Sequence, residues 1–262
     1  MVKRSAGTAI RFALLVLALD SILGCNDAFS TSSEPQPFVY LVVSRGALPG
    51  SAVDPADSSV KALLLTVGSS GASFRRAEQF QLVRTRDDSL FMIQESQTAA
   101  QGVFDARHGL RTDDANYVLP FSPVSGLGAR DVEPLASYRL RIETGGNIVT
   151  GNVTVPATPV PRLVVVDGAR SVVFPPAIGA AGYVVEADTE TWPATLITDT
   201  VVHLRYDRGA TIIPPNPRFR VIAVDPNLFN YVADTTVASA GLNGALGVFG
   251  AATAATLDLP PP

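Results

Sequence analysis

The chain holds one cysteine in 262 residues, Cys25. A lone thiol excludes an intramolecular disulfide, so an exported domain built from this sequence is stable without covalent staples. Histidine is nearly as scarce, with only His108 and His203. A zinc site takes three or four His, Cys or acidic ligands at paired spacing, and no such grouping is visible. Long apolar runs are missing after Cys25, which leaves no candidate for a spanning helix there. Long amphipathic helical patterns are missing as well. Lysine occurs only as Lys3 and Lys61; all other basic residues are Arg. The formal net charge is -4. A mildly acidic chain is a poor partner for nucleic acid or for anionic lipid surfaces.

What is present begins with a leader. Lys3, Arg4 and Arg11 form a basic stretch, and Phe12 to Leu19 (FALLVLAL) is an apolar core of signal-peptide length, too short to span a bilayer. Asp20 interrupts it, a residue costly inside lipid. Ile22-Leu23-Gly24-Cys25 then resembles a bacterial lipobox at all four positions. That resemblance implies cleavage before Cys25 and acylation of its thiol and new amine. The chemistry needs cysteine because a thiolate is the nucleophile that takes the lipid. Several acyl chains, at about 0.8 kcal/mol per buried methylene, give stable anchoring. Loss of residues 1–24 would remove three basic residues and one acidic one, so the charge of -4 would become -6. Residues 25–37, with the stretch NDAFSTSSEPQP, read as a disordered tether. Asn26 rather than Asp after the cysteine points to the outer membrane, with the lipid as the membrane contact.

Beyond residue 37 nearly every apolar run is short and bounded by Gly, Pro, Asp or Asn, which is a strand pattern. Strands are expected at Phe38–Val43, Val60–Val67, Phe80–Arg84, Ser89–Ile93, Tyr117–Leu119, Tyr138–Glu143 and Ile148–Val155. Further strands are expected at Arg162–Val166, Ser171–Phe174, Gly182–Ala187, Thr195–Leu204, Phe219–Val224 and Thr253–Leu259. In Tyr138-Arg139-Leu140-Arg141-Ile142 apolar and basic residues alternate, as in a half-buried strand. Gly145-Gly146 and Asp167-Gly168 are tight hairpin signals. One helix is expected at Pro226–Ala233, capped by Asp225 with Pro at its first position.

The expected fold class is all-β: two antiparallel β-sandwich domains, immunoglobulin-like or fibronectin-III-like, behind the tether. The first, immunoglobulin-like or transthyretin-like, covers 38–155 and the second, fibronectin-III-like, covers 162–262, with a Pro-rich linker at 156–161. Tyr183 and Trp192 are expected core aromatics of the second.

The order of these pieces is similar to that of the DUF4249-like uncharacterised bacterial envelope lipoproteins. The lipobox comes first. A domain follows that closes with Tyr138 to Ile142, Gly146-Asn147-Ile148 and Val153-Thr154-Val155-Pro156. A second β domain comes next, and the Gly-rich stretch Asn243 to Gly250 lies near the end. The resemblance implies an envelope role near outer-membrane transport and no defined chemistry.

Chemical motifs are weak. Gly68-Ser69-Ser70-Gly71-Ala72 approaches a nucleophile elbow but ends in Ala72 and lacks a following helix. Ser58-Ser59-Val60-Lys61 matches Ser-x-x-Lys, a pair that works only on a helix. Asp87-Asp88 and Asp113-Asp114 offer oxygen ligands for calcium, though paired Asp in a β protein is usually turn chemistry. Arg75, Arg76, Arg84 and Arg86 form a basic cluster, either a contact for an acidic partner or glycan or a charged strand edge that blocks aggregation. Val248 and Phe249 lie in the Gly-rich stretch, either tucked into the core or exposed as a docking patch. The expectation is a non-catalytic binding or accessory protein with no cofactor, whose partner is an outer-membrane transport protein or a glycan. The alternative is a calcium-dependent or acidic-pair hydrolase using Asp87, Asp113 or Asp114 with His108.

Overall fold

A computed structural model describes residues 35–46, 59–68, 71–100, 103–105, 110–112, 115–167, 169–187, 195–204 and 218–259. Residues 36–262 form one compact unit. In chain order its first strands are β1 (Gln36–Arg45), β2 (Ser59–Gly68), β3 (Gly71–Phe74), β4 (Gln79–Arg84), β5 (Ser89–Met92), β6 (Gln94–Ala100), β7 (Val103–Asp105), β8 (Leu110–Thr112), β9 (Ala115–Val118), β10 (Ser137–Thr144) and β11 (Asn147–Thr154). Then follow β12 (Arg162–Val166), β13 (Ala169–Val173), β14 (Gly182–Ala187), β15 (Thr195–Ile197), β16 (Val201–His203), β17 (Arg218–Val224), helix α1 (Pro226–Ala233), β18 (Ser239–Ala240), β19 (Leu242–Asn243) and β20 (Leu246–Asp258). The chain is all-β, as its short, turn-bounded apolar runs imply.

One sheet dominates, in the order β15-β14-β17-β20-β1-β2-β9-β6, with β3 added on β2 and β18 on β20. A second sheet runs β19-β11-β10-β4-β5 and a third β12-β13-β16. Neighbours are antiparallel, except that β20 runs parallel to both β1 and β18. β1 lies between two partners and buries both faces, which is why FVYLVV is a continuous apolar run rather than an alternating one.

Alternation divides the core. Val39, Leu41 and Val43 of β1 join Leu64, Phe80, Leu82, Tyr138, Leu140 and Phe249 between the large sheet and the second sheet. Tyr40 and Val42 face the other way, with Val248, Leu228 and Tyr231, so α1 covers the opposite face. Val172 and Phe174 pack on Tyr183, Val185, Phe219 and Val221, which closes the third sheet over the large one. Register sets Ala223 opposite Thr253, on the face that also carries Phe249 and Ala251. The second and third sheets therefore cover one face of the same large sheet. Each fully buried Phe or Leu contributes roughly 1.5–3 kcal/mol.

This arrangement corrects the expected domain boundary. There are two sandwiches, but they are fused through a shared sheet rather than strung on a linker. Strands from both sides of 156–161 share that sheet: β15, β14, β17 and β20 form one half and β1, β2, β9 and β6 the other, joined where the C-terminal β20 pairs with β1. The Pro-rich segment is a packed junction. Val155, Pro156 and Pro159 are buried. Ala157 N donates to Ile178 O at 2.8 Å, and Thr253 Oγ1 donates to Ala157 O at 2.8 Å.

Two further expectations change. The last strand is longer than the expected Thr253–Leu259: β20 starts at Leu246, so most of the Gly-rich stretch is itself strand. Thr195–Leu204 splits into β15 and β16, which sit in different sheets. Other readings hold. Gly145 and Gly146 have φ of 53° and 78°, the paired positive angles of a tight hairpin. α1 occupies its expected span, and Tyr183 is buried. Trp192 lies outside the described residues.

Candidate functional site

The basic cluster is divided by the strand that carries it. Arg75 and Arg76 precede β4, and Arg84 ends it, roughly 25 Å along an extended chain. Arg75 is committed to the hairpin of β10 and β11: Nε donates to Thr144 Oγ1 at 2.7 Å and Nη2 to Thr144 O at 2.8 Å. Arg76 is exposed and lies 3.5 Å from Glu95. At the other end, buried Arg84 pairs with Asp87 at 2.8 Å and with Glu133 at 2.6 Å, and its Nη2 donates to Ser89 Oγ at 3.2 Å. Arg86 pairs with Glu133 at 2.5 Å. The four residues are therefore not a joint surface for an anionic partner. Arg84 instead clamps the turn after β4 to the segment before β10.

The same clamp bears on the calcium reading. The hydrogen bond from Arg84 holds the Asp87 carboxyl far below the ordinary carboxylate range, and that bond in turn raises the guanidinium. Asp87 Oδ1 also accepts from Ser89 N at 3.2 Å. Asp88 takes a positive φ of 51° in the turn and pairs with Arg139 at 2.9 Å. This is turn chemistry. Asp113, Asp114 and His108 lie outside the described residues. Among the described residues no group of three His, Cys, Asp or Glu side chains is placed to hold a metal ion.

The nucleophile motifs dissolve into strands. Gly68 ends β2 and Gly71 begins β3, and the two pair, so the motif's glycines lie on two antiparallel strands and no helix follows them. Lys61 lies within β2, so Ser-x-x-Lys is not on a helix.

One juxtaposition escapes sequence reading. Register sets Ser171 of β13 opposite His203 of β16, and Ser171 Oγ lies 2.8 Å from His203 Nδ1. Only the strand pairing reveals it, because the two residues share no motif. Ser171 is fully buried and His203 exposed, so the hydroxyl cannot meet an external carbonyl. The pair ties two strands together.

Val248 and Phe249 are both fully buried, facing opposite sides of the shared sheet, and neither forms a docking patch. The glycines around them permit close approach. A Cβ on Gly247, whose φ is 102°, would strike Val39 O, and one on Gly250 would lie 2.7 Å from Leu228 Cβ. Over this strand sits Asp225, which is buried and caps α1. Its Oδ1 accepts from Leu228 N at 3.1 Å and from Ala251 N at 2.8 Å, and Oδ2 accepts from Asn227 N at 3.1 Å. Burial outweighs these bonds and pushes its pKa up to about 6. Asn227 Nδ2 bridges Phe249 O and Asn152 O at 3.0 Å each, joining helix, shared sheet and second sheet.

Ile22, Leu23, Gly24 and Cys25 lie outside the described residues. Among the described residues no helix is long and apolar enough to cross a membrane. The chain matches no known protein family, no curated protein and no solved structure.

Proposed function

We propose that this is a lipid-anchored cell-envelope protein whose fused β-sandwiches serve a non-catalytic binding or accessory role at the outer membrane. The observation that carries the reading is the lipobox Ile22-Leu23-Gly24-Cys25 behind a basic and apolar leader. The acyl chains on Cys25 confine the folded unit to a membrane surface, where raised effective concentration makes weak contacts with a transport protein or a glycan sufficient. The placement of the polar residues supports the non-catalytic part. Arg75, Arg84, Asp87 and Ser171 are each engaged within the fold. The hydrolase alternative rests on Asp113, Asp114 and His108, and it loses Asp87 to the Arg84 clamp. Metabolic labelling with a radioactive fatty acid tests the anchor. The full chain takes up label and partitions into detergent, and Cys25→Ser abolishes both. Equal labelling of the two proteins would refute the assignment.

A further inference from the structure

The third sheet ends in β12, whose only strand neighbour among the described residues is β13. Two residues separate Val166 from Ala169, so this pair closes a two-residue hairpin and is hydrogen-bonded. Alternation then makes Val164–Ser171 and Arg162–Val173 hydrogen-bonded pairs as well. The far flank of β13 agrees. Leu204 N donates to Arg170 O at 2.9 Å and Phe174 N to Thr200 O at 3.1 Å, so Arg170 and Phe174 turn their backbone groups away from β12. Leu163 and Val165 of β12 consequently aim their N–H and C=O groups at an open edge. Among the described residues no hydrogen bond reaches them, and Val165 is 70% exposed.

Edges of this kind are usually blunted by charge, proline or shortness. β5 has four residues and starts beside the Asp88–Arg139 pair; β15 and β16 have three each. β12 reads RLVVV, with no charge, proline or glycine after its first residue.

We infer that β12 pairs with β12 of a second copy of this chain, antiparallel about a twofold axis through Val164. The outward-facing groups are symmetric about that residue. Leu163 falls opposite the partner's Val165 and exchanges two hydrogen bonds with it, and the symmetric pair exchanges two more. The two three-stranded sheets become one of six. Arg162 falls opposite the partner's Val166, so no like charges meet, and the paired side chains are otherwise aliphatic. This self-complementarity favours a second copy over a foreign strand. A five-residue edge buries less than the roughly 1,200 Å² of a standard stable interface, so the dimer is weak and forms at high local concentration.

Val164 pairs with itself at a non-hydrogen-bonded position, where Cα atoms approach to about 4.5 Å, within disulfide range. The full chain carrying Cys25→Ser has no thiol, and Val164→Cys then adds a single reporter. Oxidation with copper–phenanthroline at high protein concentration gives the disulfide dimer as the main product. Thr150→Cys, on the exposed face of the second sheet, gives only background. Arg162→Cys with Val166→Cys crosslinks far more than either alone, which fixes the register. Circular dichroism checks that each variant is folded. Dimer yield for Val164→Cys no higher than for Thr150→Cys overturns the inference. So does capture of an added LVVV peptide without self-crosslinking, which would assign the edge to a foreign strand. Neither result depends on lipid at Cys25.

Discussion

Replacing Asp225 with Ala strips the acceptor from three backbone N–H groups, two in α1 and one in β20. Loss of a helix N-cap costs about 1–2 kcal/mol. The orphaned N–H of buried Ala251 adds about 1–3 kcal/mol. Together these give roughly 2–5 kcal/mol of lost stability, measured by urea unfolding followed by circular dichroism. Asp225→Asn keeps the Oδ1 acceptor and loses only the bond to Asn227, so it costs less than the Ala change. The pH dependence separates charge from shape. The folded carboxyl titrates at about 6, above the value of 3.8 for an unperturbed Asp. Between those values the folded state binds the extra proton, so the Asp225 contribution to stability is greatest below the lower value. It falls as pH rises through the window and levels off above about 6. About two pKa units correspond to about 3 kcal/mol. The stability of wild type relative to Asp225→Asn therefore drops by up to about 3 kcal/mol between pH 4 and 7. A difference that is flat across that range, or an Ala variant within about 0.5 kcal/mol of wild type, would refute the account of a buried, desolvated cap.

Two other perturbations test the packing directly. Gly247→Ala puts a Cβ against Val39 O at a φ of 102°, and it should cost more stability in urea unfolding than the about 1 kcal/mol of an ordinary left-handed substitution. The same change at Gly126, whose φ is 68° with open space around it, should cost only that strain. Arg84→Ala leaves Glu133 and Asp87 without their shared partner and should cost about 2 kcal/mol, with Arg84→Lys recovering only part because a point charge cannot span both carboxylates. Because Asp87 is held below its ordinary range, its contribution is complete above the unfolded pKa and is lost as pH falls below about 4. Wild type and Arg84→Ala should therefore converge in stability under acid, and parallel curves would argue against the clamp.

Local features were legible in the sequence. Gly145-Gly146 announced its hairpin, Asp225-Pro226 announced the start of α1, and Tyr138 to Ile142 announced which way its side chains face. These signals reside within a few residues of each other. What stayed hidden depends on contacts between distant segments. Nothing in FVYLVV specifies that its second neighbour is the Gly-rich stretch from Leu246, and Gly-rich composition argues against a central strand until Val39 O is seen pressed against Gly247. The Pro-rich segment signals an interruption of strands, which is true, but interruption of strands is not separation of sheets. The arginines are a related case. Their clustering in sequence was real, but strand geometry spread them apart, and their partners Thr144 and Glu133 came from segments far along the chain. Ser171 and His203 became visible only through the register of β13 and β16.

The place of β1 has a mechanical consequence. It is held antiparallel by β2 through residues 36–44 and parallel by β20 through residues 38–45. A pull on residue 35 directed along the strand is borne by both ladders at once. Backbone hydrogen bonds in an antiparallel pair lie perpendicular to the strand, so such a load shears many bonds together instead of peeling them one by one. An edge strand pulled from its end would unzip. A chain tugged from its N-terminal side at a membrane would thus be gripped at the centre of its largest sheet, and it should yield only when that sheet gives way as a whole.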